Sequence, residues 1–210
     1  MQSVLKYFPD LSPDQVLKFE MLGPLYRNWN KTTHVLPVKE LAGKFCEEHI
    51  LHSLSIARVI GFDAGCRILD VGTGGGFPGV PLAILFPLCN FTLIDAMRKR
   101  IDVVNAVIKK LNLKNAVANY GKIEDVFEQY DFVVSRAVAA FPVLVGMVSK
   151  NVSGNSFNSR PNGIFYLKSG NFEEEIVDFK NKAEVSEIGS FFPEPSFRTK
   201  KVIYLPIEKH

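Results

Sequence analysis

Several kinds of functional site have no support in this sequence. The three cysteines, Cys46, Cys66 and Cys89, are odd in number and have no CxxC spacing, so we expect reduced core residues and no disulfide framework or zinc ribbon. No apolar run approaches the length that crosses a bilayer. Lys6 and Asp10 interrupt the segment where a signal peptide would be continuously apolar. We therefore expect a cytoplasmic protein without a membrane span.

Neither sign of charge dominates the chain. Lys and Arg number 25 and Asp and Glu number 22, which gives a formal net charge of +3 that permits an anionic partner without requiring one. Basic residues do cluster locally, at 98–100, 109–114 and 198–201. Such clusters are typical of solvated surfaces and also of phosphate-binding rims, so both interpretations stay open.

The pattern along the chain predicts two parts, an amino-terminal helical lobe over 1–60 and a larger α/β domain over 61–210. In the lobe, Ser12, Pro13 and Gln15 form a helix start signal, and the helix is expected to reach Trp29. A second helix is predicted over 39–60. Beyond residue 65, predicted strands at 66–71, 90–95, 115–120, 131–135 and 163–168 alternate with predicted helices at 79–86, 98–112, 123–129, 139–150 and 171–182.

The alternation of strands and helices predicts a mostly parallel, Rossmann-like sheet with helices on both faces. The carboxyl-terminal tail differs, because two extended runs at 184–192 and 198–207 have no helix between them. Such runs can pair only as antiparallel neighbours. The expected fold class is therefore α/β, with a seven-stranded sheet that ends in an antiparallel strand pair.

A glycine-rich segment follows the first predicted strand, in the sequence DVGTGGGFPG over 70–79. Glycine adopts positive φ and has no Cβ, so the backbone N–H groups of this turn can approach a nucleotide-like ligand. A second acid, Asp95, closes the next strand, where an acid commonly binds ribose hydroxyls. The sequence therefore predicts a site for a nucleotide-like cofactor.

The residues around the glycines narrow the choice of cofactor. The turn has no Gly-Lys-Ser/Thr, which excludes a Walker-type phosphate loop, while 74–79 does match the dinucleotide pattern G-x-G-x-x-G. Asp70 would meet a pyrophosphate as an uncompensated carboxylate, and it favours the sulfonium and ammonium groups of S-adenosylmethionine. On this interpretation Gly72, Gly74 and Gly76 contact the methionine part and Asp95 binds the ribose. The antiparallel tail is also typical of class I methyltransferases.

The chain resembles the glucose-inhibited division protein B family, the guanine-N7 methyltransferases of bacterial 16S ribosomal RNA. The resemblance rests on segments spread over most of the chain: WNK at 29–31, EHILHSL at 48–54, DVGTGGGFPGVP at 70–81, TLIDAMRKR at 92–100, GKIE at 121–124, SRA at 135–137 and LK at 167–168. It implies an S-adenosylmethionine pocket lined by Gly72, Phe77, Asp95, Ile123, Glu124 and Arg136. It also implies 16S ribosomal RNA or the small ribosomal subunit as partner, and we expect a monomer.

Individual roles follow from this resemblance and from the residue types. We expect Ile123 to face the adenine, and Glu124 to accept from the adenine amino group or to begin the next helix. Arg136 and Lys168 are positioning candidates near the base or its phosphate. No residue is indicated as a catalytic base, because guanine N7 already has a free lone pair.

The chain also departs from the family pattern. Glu48 stands in place of an Arg, His52 in place of an Asp, and Lys122 where Arg is common. These positions lie outside the cofactor loop and concern the RNA side. The spacing of His49 and His52 could suggest metal ligands, but no third ligand is in view and we expect packed histidines and no metal.

Three other functions remain open at this point. A class I methyltransferase of a small molecule or protein would use the same loop, and would be active without RNA. A nicotinamide-dependent oxidoreductase would bind a nicotinamide coenzyme at the same turn. A non-catalytic ribosome-assembly protein would bind RNA whether or not Asp95 is intact.

Overall fold

One seven-stranded sheet organises the chain. The computed structural model describes residues 2–41, 43–155, 157–170 and 172–208. Its strands are β1 (Arg67–Val71), β2 (Asn90–Asp95), β3 (Ala116–Tyr120), β4 (Phe132–Arg136), β5 (Gly163–Ser169), β6 (Glu184–Glu187) and β7 (Lys200–Pro206), in the order β3-β2-β1-β4-β5-β7-β6. The strands β1 to β5 are parallel, and β7 is antiparallel to both β5 and β6. The predicted sheet and its antiparallel tail are confirmed.

Helices cover both faces of the sheet, so its central strands are apolar throughout. The helices are α1 (Gln2–Tyr7), α2 (Pro13–Trp29), α3 (Val38–Leu41), α4 (His52–Leu54), α5 (Gly79–Leu85), α6 (Arg98–Lys110) and α7 (Phe141–Val148). In β1, Ile68 points into the hydrophobic cluster that contains α5 and α6, while Leu69 points into the cluster that contains α7. This alternation follows from the two-residue period of a strand.

The amino-terminal helices pack against the sheet domain. The capping box predicted for α2 is present, with Gln15 N–H donating to Ser12 Oγ at 3.3 Å and Ser12 N–H donating to Gln15 Oε1 at 2.9 Å. Leu22 and Tyr26 of α2 are fully buried in the same hydrophobic cluster as α5 and α6. The two parts proposed from the sequence therefore share a hydrophobic core, and the boundary at residue 60 stays a prediction.

The single helix predicted over 39–60 is wrong. The chain forms α3, a turn at Gly43, a π-helical turn (Cys46–Leu51), α4 and a 3-10 turn (Ser55–Arg58). The hydroxyls of Ser53 and Ser55 donate at 2.6 Å to the carbonyls of His49 and His52, respectively. Such bonds from side chain to backbone compete with regular helical bonding. Ala42, which falls within the predicted helix, lies outside the described residues.

Two predicted helices after β3 are also wrong. The segment 123–129 forms one 3-10 turn (Ile123–Asp125), because Asn151 Nδ2 binds the carbonyls of Val126 and Glu128 at 2.9 and 3.0 Å and leaves the chain extended there. The segment 171–182 forms 3-10 turns (Glu173–Phe179), and its Asn171 lies outside the described residues. Glu175 there is held by tertiary contacts, since its carboxylate accepts from the Phe141 N–H at 2.7 Å.

The remaining predictions differ from the structure mainly in their limits. The extended run predicted over 184–192 ends at Glu187, where a 3-10 turn (Ile188–Ser190) begins, and the Ser190 hydroxyl donates to the Glu187 carbonyl at 2.6 Å. The three cysteines are free thiols, with Cys66 and Cys89 buried and Cys46 only partly so. No helix in the described part of the chain is long and apolar enough to span a bilayer.

Candidate functional site

A cavity of about 890 Å³ opens at the carboxyl ends of the parallel strands. Ligands of open α/β sheets bind at this edge. One part of the wall comes from the glycine loop (residues 72–79, between β1 and α5) and from the residues after β2. The opposite part comes from the residues after β4 and β5, together with the segment from Val35 to His52. The cavity therefore has a side at the glycine loop and a second side that faces the amino-terminal helices.

Asp70 shapes the glycine loop from below. Its side chain is fully buried, and Oδ2 accepts from the Thr73 hydroxyl at 2.6 Å and from the Gly79 N–H at 2.8 Å. A Cβ on Gly79 would lie 2.6 Å from the same oxygen, so the close approach needs glycine. Burial raises the pKa of Asp70 to about 7, although both hydrogen bonds and Arg136 oppose the rise. The other oxygen, Oδ1, is buried without a hydrogen-bond partner.

Three glycines line the cavity: Gly72, Gly74 and Gly75. Gly72 and Gly74 line it with φ of +65° and +57°, a region that side chains other than glycine rarely adopt. A Cβ on Gly72 would also lie 2.3 Å from Val138 Cγ2, on the loop that follows β4. Gly76, at φ +92°, faces Val80 and Tyr26 on the far side of the loop.

Asp95 joins the end of β2 to the glycine loop. Its Oδ2 accepts from the Gly74 N–H at 2.9 Å, and its Oδ1 accepts from the Met97 N–H at 2.8 Å. Arg100 lies 3.5 Å from Oδ2. Each carboxylate oxygen can accept a second hydrogen bond. Asp95 lines the cavity and thus has accepting capacity left for a ligand hydroxyl.

Arg136 is held in the cavity wall by a chain of polar contacts. One of its N–H groups donates to the Glu48 carbonyl at 2.9 Å, and another lies 3.2 Å from His49 Nδ1. Because Nδ1 accepts from Arg136, the histidine proton belongs on Nε2, which lies 2.7 Å from Glu40 Oε2. Burial, helped by Arg136 and Lys200, lowers the pKa of His49 to about 3, so the ring is neutral.

Opposite charges are paired around this part of the cavity. Lys168 Nζ lies 2.8 and 2.9 Å from the two carboxylate oxygens of Glu175. Lys200 Nζ donates to Glu48 Oε2. His52 is buried, and burial lowers its pKa well below the ordinary value. Within the described ranges, no group of three or more His, Cys, Asp or Glu side chains is placed to hold a metal ion.

Comparisons with known proteins identify the family. Residues 16–200 match the family model described as "GidB: rRNA small subunit methyltransferase G". A protein of Cytophaga hutchinsonii named "Ribosomal RNA small subunit methyltransferase G" is 48% identical, over 98% of this chain and 99% of its own length. A protein of the same name from Christiangramia forsetii is 43% identical, over 99% and 98%. The chain belongs to the rRNA small subunit methyltransferase G family. The resemblance found in the sequence is thereby confirmed.

Solved structures are similar in fold. A methyltransferase of Aquifex aeolicus, described as SAM-dependent, matches with a TM-score of 0.53 and 18% identity, over 80% of this chain and 96% of that chain. A structure described as MtNAS in complex with MTA and tNA matches with a TM-score of 0.60 and 15% identity, over 87% and 69%. At such identities the likeness concerns the fold, and it supports the class I architecture predicted for this rRNA small subunit methyltransferase G family member.

The structure brings most of the predicted site residues of this family member together. The following line the cavity: Gly72, Gly74, Phe77, Asp95, Arg136 and Lys168. Four other predicted residues are not among the described residues that line it: Asp70, Gly76, Ile123 and Glu124. Ile123 is buried in the hydrophobic cluster beside α7, and Glu124 is exposed on the loop after β3. The binding roles of all ten residues stay predictions.

Sequence reasoning missed other residues of the site. Glu40 and Lys200 line the cavity, and Tyr26 lies directly behind the glycine loop. Tyr26 lies one helical turn after Leu22, and this spacing is typical of an ordinary core residue, so the sequence pattern did not indicate a role in the site. Only Lys200 had a signal in the sequence, as part of the basic cluster at 198–201.

Proposed function

We propose that this protein is an S-adenosylmethionine-dependent methyltransferase that transfers a methyl group to N7 of a guanosine in 16S ribosomal RNA. The observation that carries the proposal is the family match over 16–200, with relatives of the same length named as ribosomal RNA methyltransferases. The protein acts in the cytoplasm as a monomer, on free 16S ribosomal RNA or on the small subunit. Residues 61–210 carry the cofactor, and the helical lobe over 1–60 faces the RNA.

The glycine-loop side of the cavity suits this cofactor. S-adenosylmethionine supplies a methyl group on a positively charged sulfonium. Gly72 and Gly74 offer bare backbone to its methionine part, and Asp95 has accepting capacity for the ribose hydroxyls. Oδ1 of Asp70 is buried without a hydrogen-bond partner, and the carboxylate favours a cationic ligand when it is ionised. Phe77 belongs to the loop and lines the cavity, while Ile123 and Glu124 are assigned to the adenine.

The residues of the second side position the acceptor and move no proton. Guanine N7 has a free lone pair, so attack on a methyl group requires no base. The state of His49 is consistent with this, because its ring is neutral, its Nδ1 accepts from Arg136, and its Nε2 lies 2.7 Å from Glu40 Oε2. Arg136, fixed by the Glu48 carbonyl and His49, presents its guanidinium plane to the base or its phosphate. Catalysis then comes from positioning in a preorganised site.

Basic residues on the cavity wall and next to it hold the flanking RNA. An unpaired guanosine is the expected target, since proteins read RNA sequence mainly where bases are unstacked. Lys99 and Arg100 lie in the first turn of α6. Arg100, Lys168 and Lys200 line the cavity. These four cations would contact phosphates, and the affinity for RNA would fall as the salt concentration rises.

Mass mapping of 16S ribosomal RNA tests the proposal in cells. RNA from cells that lack this protein should lose one 7-methylguanosine, and the wild-type protein should restore it while the Asp95→Ala variant should not. Unchanged methylation of 16S ribosomal RNA in the deletion strain would contradict the proposal. Methyl transfer in the absence of RNA would favour a methyltransferase of a small molecule or protein. Tight binding of a nicotinamide coenzyme would favour the oxidoreductase. Restoration of ribosome assembly by the Asp95→Ala variant would favour the non-catalytic assembly protein.

A further inference from the structure

We propose that Tyr26 of α2 is a positioning residue of the cofactor site, whose hydroxyl fixes the conformation of the glycine loop for S-adenosylmethionine. The inference rests on the proposed function, because it assigns a role in binding that cofactor. It adds the amino-terminal helix α2 to a site that is otherwise built from the carboxyl ends of the strands.

The first observation is a buried hydrogen bond between the helix and the loop. The Tyr26 side chain is fully buried, and its hydroxyl donates to the carbonyl of Gly75. Its ring lies 5.1 Å from the ring of Phe77 and 5.7 Å from the ring of Phe45. Burial raises the pKa of the hydroxyl above its ordinary range, so the group remains a donor at neutral pH. The loop carbonyl therefore has one fixed partner.

The second observation is that α2 contacts the same glycine by another route. One turn after Tyr26, Asn30 receives hydrogen bonds from the N–H groups of Val35 and Leu36 at 2.9 and 3.0 Å, and donates to the Leu36 carbonyl at 2.8 Å. The Leu36 side chain in turn lies over Gly75, where an added Cβ would be 3.1 Å from Leu36 Cδ2. The end of α2 thus holds Gly75 through a hydroxyl and through a packed side chain.

The third observation concerns which backbone groups of the glycine loop are fixed by residues other than Tyr26. Asp70 binds the Gly79 N–H, and Asp95 binds the Gly74 N–H. The N–H groups of Gly76 and Phe77 also donate to the Thr73 carbonyl at 2.9 Å. These contacts all occupy N–H donors of the glycines and of Phe77, whereas Tyr26 fixes an acceptor, the carbonyl of the central glycine of 74–76. Glycine has the largest backbone freedom of any residue, so an unfixed loop would lose conformational entropy when the cofactor binds. A loop ordered beforehand avoids that loss and binds more tightly.

Tyr26→Phe tests this directly, because it removes the hydroxyl and keeps the ring. Tyr204→Phe is the matched control, since the buried Tyr204 donates to the Pro161 carbonyl at 2.6 Å and is not among the described residues that line the cavity. We expect Tyr26→Phe to raise the Kd for S-adenosylhomocysteine about three- to tenfold in calorimetry on the full chain, as loss of one hydrogen bond would. Tyr204→Phe should lower the melting temperature about as much as Tyr26→Phe does, and should leave the Kd within about twofold of wild type.

A kinetic measurement separates positioning from general destabilisation. With RNA substrate, Tyr26→Phe should raise the KM for S-adenosylmethionine while kcat stays close to wild type, because the saturated loop recovers its conformation. Asn30→Asp, which keeps the acceptor and loses the donor to Leu36, is a second variant and should raise the same Kd. An unchanged Kd in either folded variant would overturn the inference. Failure of the wild-type protein to bind S-adenosylhomocysteine would instead overturn the proposed function, and the inference with it.

Discussion

The substitution Asp70→Asn should change how stability depends on pH. Asp70 is fully buried beneath the glycine loop, and its folded-state pKa is raised from 3.8 to about 7, chiefly by desolvation. The charged groups facing it are Arg136, which opposes the rise, and Asp95, which adds to it. An Asn carbonyl can accept the same two hydrogen bonds, but an Asn side chain does not ionise. The variant therefore isolates the contribution of the carboxylate.

The direction and size of the effect follow from proton linkage. Between about pH 4 and pH 7 the unfolded chain has released the Asp70 proton while the folded chain still holds it, so the stability of the wild type falls as pH rises. Each unit of pKa difference corresponds to about 1.4 kcal/mol, so the loss across this window is on the order of 4 kcal/mol. The variant lacks this loss. Its free energy of unfolding relative to wild type should therefore improve by about that amount between pH 4 and pH 8.

Urea unfolding of both proteins at pH 4, 5, 6, 7 and 8 measures this difference. The wild-type and Asp70→Asn curves of unfolding free energy against pH should converge or cross as pH rises. Binding should change in the opposite sense, because at pH 8 the variant has lost the negative charge that favours a cationic cofactor. Parallel stability curves over the whole range would refute the assignment of a raised pKa to the buried Asp70.

Three further predictions concern binding, folding and the RNA surface. Asp95→Ala removes the carboxylate that accepts from the Gly74 and Met97 N–H groups and that we assign to the ribose hydroxyls. Loss of charge-assisted hydrogen bonds costs about 1.5–3 kcal/mol, so the Kd for S-adenosylhomocysteine should rise at least tenfold in calorimetry. A Kd equal to that of wild type would exclude a direct role of Asp95 in binding. Gly79→Ala places a methyl group 2.6 Å from a buried carboxylate oxygen and should destabilise the fold by about 1–3 kcal/mol in urea. Its control Gly146→Ala, with open space around it in α7, should stabilise by about 0.5–1 kcal/mol; equal effects would refute the steric argument. Lys99→Glu should weaken RNA binding at low salt several-fold more than Lys110→Glu at the other end of α6, and equal losses would place the RNA elsewhere.

The parts of the fold that were predictable from the sequence are those set by local chemistry. The start of α2 follows from Ser12 and Gln15, whose side chains cap the helix through contacts three residues apart. The strands follow from apolar runs that end in Asp70 and Asp95. The antiparallel tail follows from the absence of a helix between its two strands. Each of these signals lies within a short window, so no tertiary information was needed.

The segments that were mispredicted are set by contacts between distant residues. The segment after Ile123 has a sequence pattern compatible with a helix. Asn151, which follows α7, donates to the carbonyls of Val126 and Glu128, and the segment is extended. The segment near Glu175 is similarly held by Phe141 and Lys168. No local pattern reports such partners, because they depend on how the sheet brings loops together.

The residues of the candidate site also include some that were predictable from the sequence and some that were not. Residues on the glycine turn and at strand ends, such as Gly72, Asp95 and Arg136, were predictable because parallel strands present their carboxyl ends at one edge. The position of Asp70 below the loop was not, because it depends on the path of the backbone between Thr73 and Gly79. The expected direct contact between Asp70 and the cofactor stays a prediction, alongside the structural role that its hydrogen bonds show.

The most direct test of the central claim uses the purified protein with 16S ribosomal RNA and S-adenosylmethionine that carries an isotopically labelled methyl group. After digestion of the RNA to nucleosides, mass spectrometry reports which atom of which base received the label. We expect labelled 7-methylguanosine at a single position, and none with the Asp95→Ala variant. Label on a different atom, or no label in RNA while a protein or small molecule is methylated, would exclude the proposed function.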